Sequence, residues 1–198
     1  MDTKVRPSSF PATARERGKI APVKFAHIVL NTPRYREMIE WYKNVLEAVP
    51  VFENEMLAFI TYDDEHHRVA FLNSPDLKDK PPGTAGAHHL AFTYASLGDL
   101  LATYKRLKKI GILPAWSINH GPTTSMYYKD PDGSALELQV DNFDSLSDAS
   151  DYMVSEDFAS NPIGVEFDPE ALIARVETGV PLDELRRRPP GAMSPIRI

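Results

Sequence analysis

The sequence predicts an α+β fold in which two β-α-β-β-β modules form one curved sheet around a cleft. Two observations lead to this prediction. One strand-like segment, one helix-like segment and three further strand-like segments follow each other in the same order in residues 23–73 and 86–142. A segment rich in proline, glycine and charge, residues 74–86, separates the copies as a linker would. Two copies of one plan can share a sheet, with helices outside and a cleft inside.

The first module begins with the strand-like segment VKFAHIVL, residues 23–30. Residues 35–46 are predicted as a helix because their apolar side chains recur at helical spacing. Thr32 and Pro33 precede this helix and are typical start signals. Three strands are then predicted, at residues 49–53, 57–62 and 67–72.

The second module repeats this order. AHHLAFTY, residues 87–94, is predicted as a strand, and residues 97–111 as a helix that ends at Gly111. The sequence DPDG favours a turn between the last two of its three remaining strands. Those three strands are predicted at residues 113–118, 124–129 and 135–140.

Both flanks of the double module differ from it in composition. We interpret residues 1–22, which are slightly basic, as an N-terminal arm, and residues 23–143 as the domain that carries the chemistry. Residues 144–198 are predicted as a C-terminal extension with a helix near 168–178. Asp168 is a suitable cap for that helix and Pro169 suits its first turn.

Composition excludes several classes of function. The net charge of −6 argues against a nucleic-acid-binding or anionic-membrane-binding protein, and no apolar segment approaches membrane-spanning length. The chain has no cysteine, so disulfides and thiolate ligands are excluded and a cytoplasmic location is expected. A homo-oligomer, a dimer or higher, is expected because an open sheet leaves edges to cover.

The histidines indicate a metal site. All six lie in the double module, and His27 and His89 occupy corresponding places in the opening strands of the two copies. Glu137 stands between two leucines in a strand predicted to be buried, where an uncompensated carboxylate would cost several kcal/mol. A divalent cation held by His27, His89 and Glu137 would offset that cost. Two imidazoles and one carboxylate leave open positions on the metal and suit non-haem Fe(II).

The segment INHGPTTSMYYKDPDGSALE resembles the signature of the type I extradiol ring-cleaving dioxygenases of the vicinal oxygen chelate (glyoxalase/bleomycin resistance-like) superfamily. His120, the pair Met126-Tyr127, the turn 131–133 and Glu137 stand in the places of that signature. AHIVL and AHHLAF resemble the family strands that carry the two metal histidines, which correspond to His27 and His89. This chain has a single pair of modules and so resembles a one-domain member.

The resemblance implies a function for further residues. EHHRVAF resembles a family segment whose second histidine is a catalytic acid–base, which corresponds to His67. An imidazole titrates near neutrality and so can both accept and return a proton. The resemblance further implies that His120 and Tyr127 orient a catechol-type substrate, and that the protein uses O2 and Fe(II). Mn(II) is an alternative metal because oxygen and nitrogen ligands alone discriminate weakly between the two. Turn geometry places Tyr127 and Glu137 close together across the hairpin.

Two other functions stay open on the sequence. The first is a non-oxidative metalloenzyme of the same superfamily, a glyoxalase-like isomerase or an epimerase, which usually has a fourth protein ligand in the last strand of the first module. That strand, HRVAFLN, has no acidic residue or histidine near its end. The second is a protein of the same fold that binds a small molecule without a metal, and three well-placed ligands argue against it.

Overall fold

The computed structural model describes Gly18 and residues 22–81 and 83–198, so most of the predicted N-terminal arm lies outside the described residues. The described residues form two compact units. One comprises Pro22–Leu90 and Lys129–Leu136, and the other comprises Ala91–Tyr128 and Glu137–Ile198. The predicted α+β class and the twofold β-α-β-β-β order are confirmed.

The first module contains one helix packed on one sheet. The helix is amphipathic, and it buries Met38, Ile39, Tyr42 and Val45 against strands of the sheet. The strands pair in the order β1-β4-β3-β2, with β1 parallel to β4 and the other neighbours antiparallel. The elements are β1 (Ile28–Thr32), α1 (Tyr35–Leu46), β2 (Val49–Glu53), β3 (Leu57–Thr61) and β4 (Val69–Asn73).

The second module has the same order of elements. Ser96 caps its helix by accepting a hydrogen bond from the backbone N–H of Asp99. The sheet order, β5-β8-β7-β6, repeats that of the first module. The elements are β5 (His89–Thr93), α2 (Leu97–Lys109), β6 (Trp116–Asn119), β7 (Thr123–Lys129) and β8 (Ala135–Asp141).

The C-terminal segment adds one strand to the second sheet. Its short strand pairs antiparallel with β6, with Val165 opposite Asn119. Asp168 caps the following helix and Pro169 is its first residue, as the sequence predicts. The elements of this segment are α3 (Leu146–Met153), α4 (Glu156–Ser160), β9 (Val165–Glu166), α5 (Pro169–Glu177) and α6 (Leu182–Arg186).

One part of the predicted fold needs correction. The sequence predicts a single curved sheet, whereas the strands pair in two sheets, one for each module. The three consecutive strands of each module are joined by short connections, so pairing within a module closes smaller loops than pairing between modules. Four strands also begin later than predicted, at Ile28, Val69, His89 and Trp116, so that His27 and His67 precede β1 and β4.

No helix in the part of the chain that the structure describes combines the length and the apolar character needed to cross a membrane.

Candidate active site

His27 and His67 lie side by side in the first module. Their ring centroids are 4.3 Å apart, although 40 positions separate them in the chain. β1 is parallel to β4, so the residues that precede these two strands lie at the same end of the sheet. Phe59 in β3 stacks on the ring of His67, with ring centroids 4.5 Å apart. Burial lowers the pKa of His67, and the neighbouring His27 and His66 lower it further.

The face of this sheet opposite Phe71, which contacts Tyr42 of α1, is mostly apolar. Cross-strand partners share a face of a sheet, and Val29 and Phe59 are both paired with Ala70. Phe52 is paired with Phe59, and Leu72 lies two positions beyond Ala70 on the same face. We call Val29, Phe52, Phe59, Ala70 and Leu72 the apolar face. Val29 is 47% exposed and Leu72 is 37% exposed, so this module presents apolar surface beside His67.

His89 is the first residue of β5 and is half-buried, whereas His88 before it is exposed. The two rings are inclined at 80°, with Nδ1 atoms 2.9 Å apart.

Glu137 is buried, with 4% of its surface exposed, in the middle of β8. The sequence prediction of a carboxylate inside a buried strand is therefore confirmed. Tyr127 in β7 is 3% exposed, and its hydroxyl is hydrogen-bonded to the Glu137 side chain. Burial, followed by the charge of Glu137, raises the pKa of Tyr127 well above its usual range. The expected proximity of Tyr127 and Glu137 across the hairpin is also confirmed.

His120 extends this hydrogen-bonded group. Its Nε2 atom lies 2.9 Å from the Tyr127 hydroxyl oxygen. The indole of Trp116 stacks on the ring of Tyr127 at a centroid distance of 5.1 Å. His120, Tyr127 and Glu137 therefore form one buried or half-buried group in the second unit.

The structure also adds a residue that sequence reasoning missed. The backbone carbonyl of Ile163, in the C-terminal segment, is hydrogen-bonded to Nδ1 of His120. Any residue type supplies a backbone carbonyl, so no motif or periodicity could have indicated this contact. The sequence prediction assigned no chemistry to the C-terminal extension.

The predicted metal ligands suit ferrous iron by donor type. Two imidazoles and a carboxylate match the nitrogen and oxygen donors that non-haem iron accepts, and the burial of Glu137 is what a carboxylate ligand shielded from water would show. Within the ranges that the structure describes, no three His, Cys, Asp or Glu side chains are grouped so that they could hold a metal ion. The assignment of His27, His89 and Glu137 thus stays a proposal.

Comparison with known proteins identifies the family. The model of the Glyoxalase/Bleomycin resistance protein/Dioxygenase superfamily matches residues 24–138. The chain belongs to this superfamily. The family expected from the sequence is therefore confirmed. The match includes all of the predicted site residues, which are His27, His67, His89, His120, Tyr127 and Glu137.

Two curated relatives cover most of the chain. Biphenyl-2,3-diol 1,2-dioxygenase 2 of Rhodococcus globerulus is 49% identical over 166 residues, which are 83% of this chain and 87% of the relative. Biphenyl-2,3-diol 1,2-dioxygenase 3 of the same organism is 44% identical over 167 residues, which are 83% of this chain and 88% of the relative.

A solved structure shows the same fold. The glyoxylase/bleomycin resistance protein/dioxygenase domain from Frankia sp. EAN1pec has a TM-score of 0.51 at 18% identity, over 61% of this chain and 93% of that domain. At this identity the likeness shows the fold alone.

Proposed function

We propose that this protein is an extradiol ring-cleaving dioxygenase, which opens a catechol-type aromatic diol with O2 at a mononuclear non-haem Fe(II) centre. The observation that carries the proposal is the 49% identity, over most of both chains, to a relative named as a biphenyl-2,3-diol 1,2-dioxygenase. Both curated relatives are named as dioxygenases, so the isomerase and the metal-free binding protein are not better supported.

The proposed metal ligands are His27, His89 and Glu137. Fe(II) is the expected metal, and Mn(II) is an alternative because nitrogen and oxygen ligands discriminate weakly between the two. The bound metal would supply open positions for the diol and O2 and a route for electrons between them. Three protein ligands leave those positions open, whereas a fourth would obstruct them.

His67 is proposed to move the proton of the diol. Its imidazole, which contacts the rings of His27 and Phe59, would accept a proton from a substrate hydroxyl and return it later in the reaction. His120 and Tyr127 are proposed to hydrogen-bond the substrate oxygen and so orient the ring. Their mutual hydrogen bond at 2.9 Å supports this assignment, because it restricts both side chains before the substrate arrives.

The apolar face supports an aromatic substrate. Phe59 stacks on His67, and exposed Val29 and Leu72 are on the same side of the sheet. A hydrocarbon ring that contacts this surface would bury apolar area at about 25 cal/mol per Å². We therefore expect an aromatic diol with a large apolar substituent, such as 2,3-dihydroxybiphenyl, to be preferred over catechol.

Oxygen uptake tests the proposal. The full chain would be reconstituted with Fe(II) without air, and O2 consumption and product absorbance would be followed with 2,3-dihydroxybiphenyl and with catechol. We expect one O2 consumed for each ring opened and a lower KM for the biaryl diol. Bound iron without O2 consumption on either diol would contradict the proposed reaction.

A pair of adjacent histidines gives a matched control for the metal ligands. His89→Ala is expected to lose iron, as measured by metal analysis after gel filtration. His88→Ala removes an exposed imidazole from the neighbouring position and is expected to keep iron. Equal iron contents in the two variants would contradict the assignment of His89. The oligomeric state and the cytoplasmic location predicted from the sequence stay predictions.

A further inference from the structure

We propose that Arg68 is a positioning residue for the metal site: its guanidinium holds the backbone that precedes His27 and so fixes the His27 imidazole beside His67. The inference rests on the proposed function, because it takes His27 as an iron ligand and His67 as the acid–base. The contact between the two rings can be measured without metal or substrate.

His27 lies just outside the regular pairing of the first sheet. β1 begins at Ile28, and its pairing with β4 starts with Ile28 opposite Val69. Phe25 is 68% exposed and Ala26 is also exposed, so packing does little to hold the chain before His27. The His27 ring therefore keeps one position only if hydrogen bonds hold this segment.

Arg68 supplies these hydrogen bonds. Its Nη1 atom donates to the carbonyl oxygen of Phe25 at 2.5 Å and to that of Ala26 at 3.0 Å. The backbone of Arg68 is itself tied to the sheet, because its N–H donates to the Ile60 carbonyl at 2.9 Å and its carbonyl accepts from the N–H of Ile28 at 3.0 Å. The side chain thus connects residues 25 and 26 to a backbone position that the sheet already fixes.

Asp63 holds the guanidinium of Arg68 in place. The Nε atom donates to the two carboxylate oxygens of Asp63 at 3.1 and 3.0 Å, and Nη2 lies 2.9 Å from the second of them. These contacts leave Nη1 for the two backbone carbonyls. A planar guanidinium can bind the carboxylate and the carbonyls at the same time, whereas a lysine ammonium has no such fork.

A second ion pair joins the same two segments. Lys24, three positions before His27, is paired with Glu65, two positions before His67. The Lys24 side chain is 61% exposed, whereas that of Arg68 is 18% exposed, so water weakens the Lys24 pair more. The positioning role is therefore assigned to Arg68.

Electrostatics alone predicts the opposite effect of removing Arg68. A cation beside a site for Fe(II) repels the metal, so its removal would strengthen iron binding. Loss of a positioning residue would instead weaken iron binding, by ~10- to 100-fold, the usual effect of removing a group that orients a metal ligand. The direction of the change in iron affinity separates the two explanations.

Two variants of the full chain, Arg68→Ala and Arg68→Lys, test the inference. The Kd for Fe(II) would be measured by titration without air, with circular dichroism to show that each protein is folded. We expect Arg68→Ala to bind iron ~10- to 100-fold more weakly than the natural chain. Arg68→Lys keeps the charge but not the planar fork, and it should also bind iron more weakly.

Proton NMR of the metal-free protein gives a measurement that does not involve iron. The ring centroids of His27 and His67 are 4.3 Å apart, so the natural chain should show a nuclear Overhauser effect between their ring protons. Single histidine replacements would assign the signals. Arg68→Ala is expected to lose this effect.

Arg36→Ala is the matched control. Arg36 is also paired with carboxylates, those of Glu53 and Glu55, but Glu53 ends β2, at the opposite edge of the sheet from β1. A merely structural arginine would affect the urea midpoint and leave the ring contact and the iron affinity of the folded protein unchanged. We expect that behaviour of Arg36→Ala.

Three results would overturn the inference. The first is iron bound as tightly, or more tightly, by folded Arg68→Ala, and the second is the full natural affinity in Arg68→Lys. The third is an equal loss of affinity in Arg36→Ala. If Arg68→Ala fails to fold, Arg68→Lys decides by the same criterion. Absence of iron binding by the natural chain would contradict the proposed function, and an unchanged ring contact in the Arg68 variants would then refute the positioning role separately.

Discussion

Replacement of Tyr127 by phenylalanine should destabilise the metal-free protein. The variant keeps the ring that stacks on Trp116 and removes only the hydroxyl. That hydroxyl is hydrogen-bonded to the buried Glu137 carboxylate and lies 2.9 Å from His120 Nε2. Without this hydroxyl, the Glu137 carboxylate, which is 4% exposed, loses one hydrogen-bond donor. Water has little access to the buried carboxylate and so cannot replace that donor.

The size of the effect follows from the kind of hydrogen bond that is lost. A hydrogen bond to a charged group contributes about 1.5–3 kcal/mol, whereas a neutral one contributes about 1 kcal/mol. Tyr128 is the matched control because it is similarly buried, at 1%, and its hydroxyl donates to the weak acceptor Met126 Sδ at 3.8 Å. We expect Tyr127→Phe to cost about 2 kcal/mol more than Tyr128→Phe.

Urea unfolding of the two metal-free variants, followed by tryptophan fluorescence, measures this difference. The free energy of unfolding is extrapolated to water for each variant and for the natural chain, provided that their slopes agree. Free energies of the two variants that differ by less than about 0.5 kcal/mol would refute the reasoning. They would show that the Tyr127 hydroxyl gives Glu137 no more stabilisation than an ordinary buried hydroxyl gives.

Three further predictions concern other parts of the chain. His67→Phe should keep iron and bind the diol but lose turnover by ~100- to 10,000-fold, the usual effect of removing a general acid–base; iron-free variant protein would contradict that role. The hydrogen bond from Arg197 holds the pKa of Glu166 below its usual 4.5. Its stabilising contribution is therefore present above that pH and is lost as the pH falls through the lowered pKa. The difference in urea midpoint between the natural chain and Glu166→Gln should shrink from neutral to acidic pH, and a constant difference would contradict this assignment. Asp168→Ala should lower the free energy of unfolding by about 1 kcal/mol through loss of the cap of α5, and an unchanged thermal midpoint would show that the cap is not needed.

Much of the secondary structure follows from local sequence. Apolar residues at helical spacing predict residues 35–46 as a helix, and the structure has a helix at Tyr35–Leu46. The DPDG turn also forms where it is predicted, because the Asp130 side chain accepts hydrogen bonds from the backbone N–H groups of Asp132 and Ser134. These features depend on residues within about one turn of each other, so the sequence alone determines them.

The pairing of the strands depended on tertiary structure. The pattern predicts which segments are strands, but alternation is the same for one continuous sheet as for two. Only the hydrogen bonds show that each module closes its own sheet and that the C-terminal segment adds β9 to the second. The first strand also starts at Ile28, after the predicted position of its histidine.

Some features of the candidate site were predicted from the sequence, and others depended on tertiary structure. Residue type, burial and spacing were enough to single out Glu137, and the hairpin predicted its proximity to Tyr127. The contact of His120 with Ile163 spans 43 positions and uses a backbone carbonyl. A contact made by a side chain can be predicted from the sequence because the chemistry of the side chain is particular to its residue type. A backbone group is common to every residue, so only the folded chain decides which carbonyl lies against which imidazole.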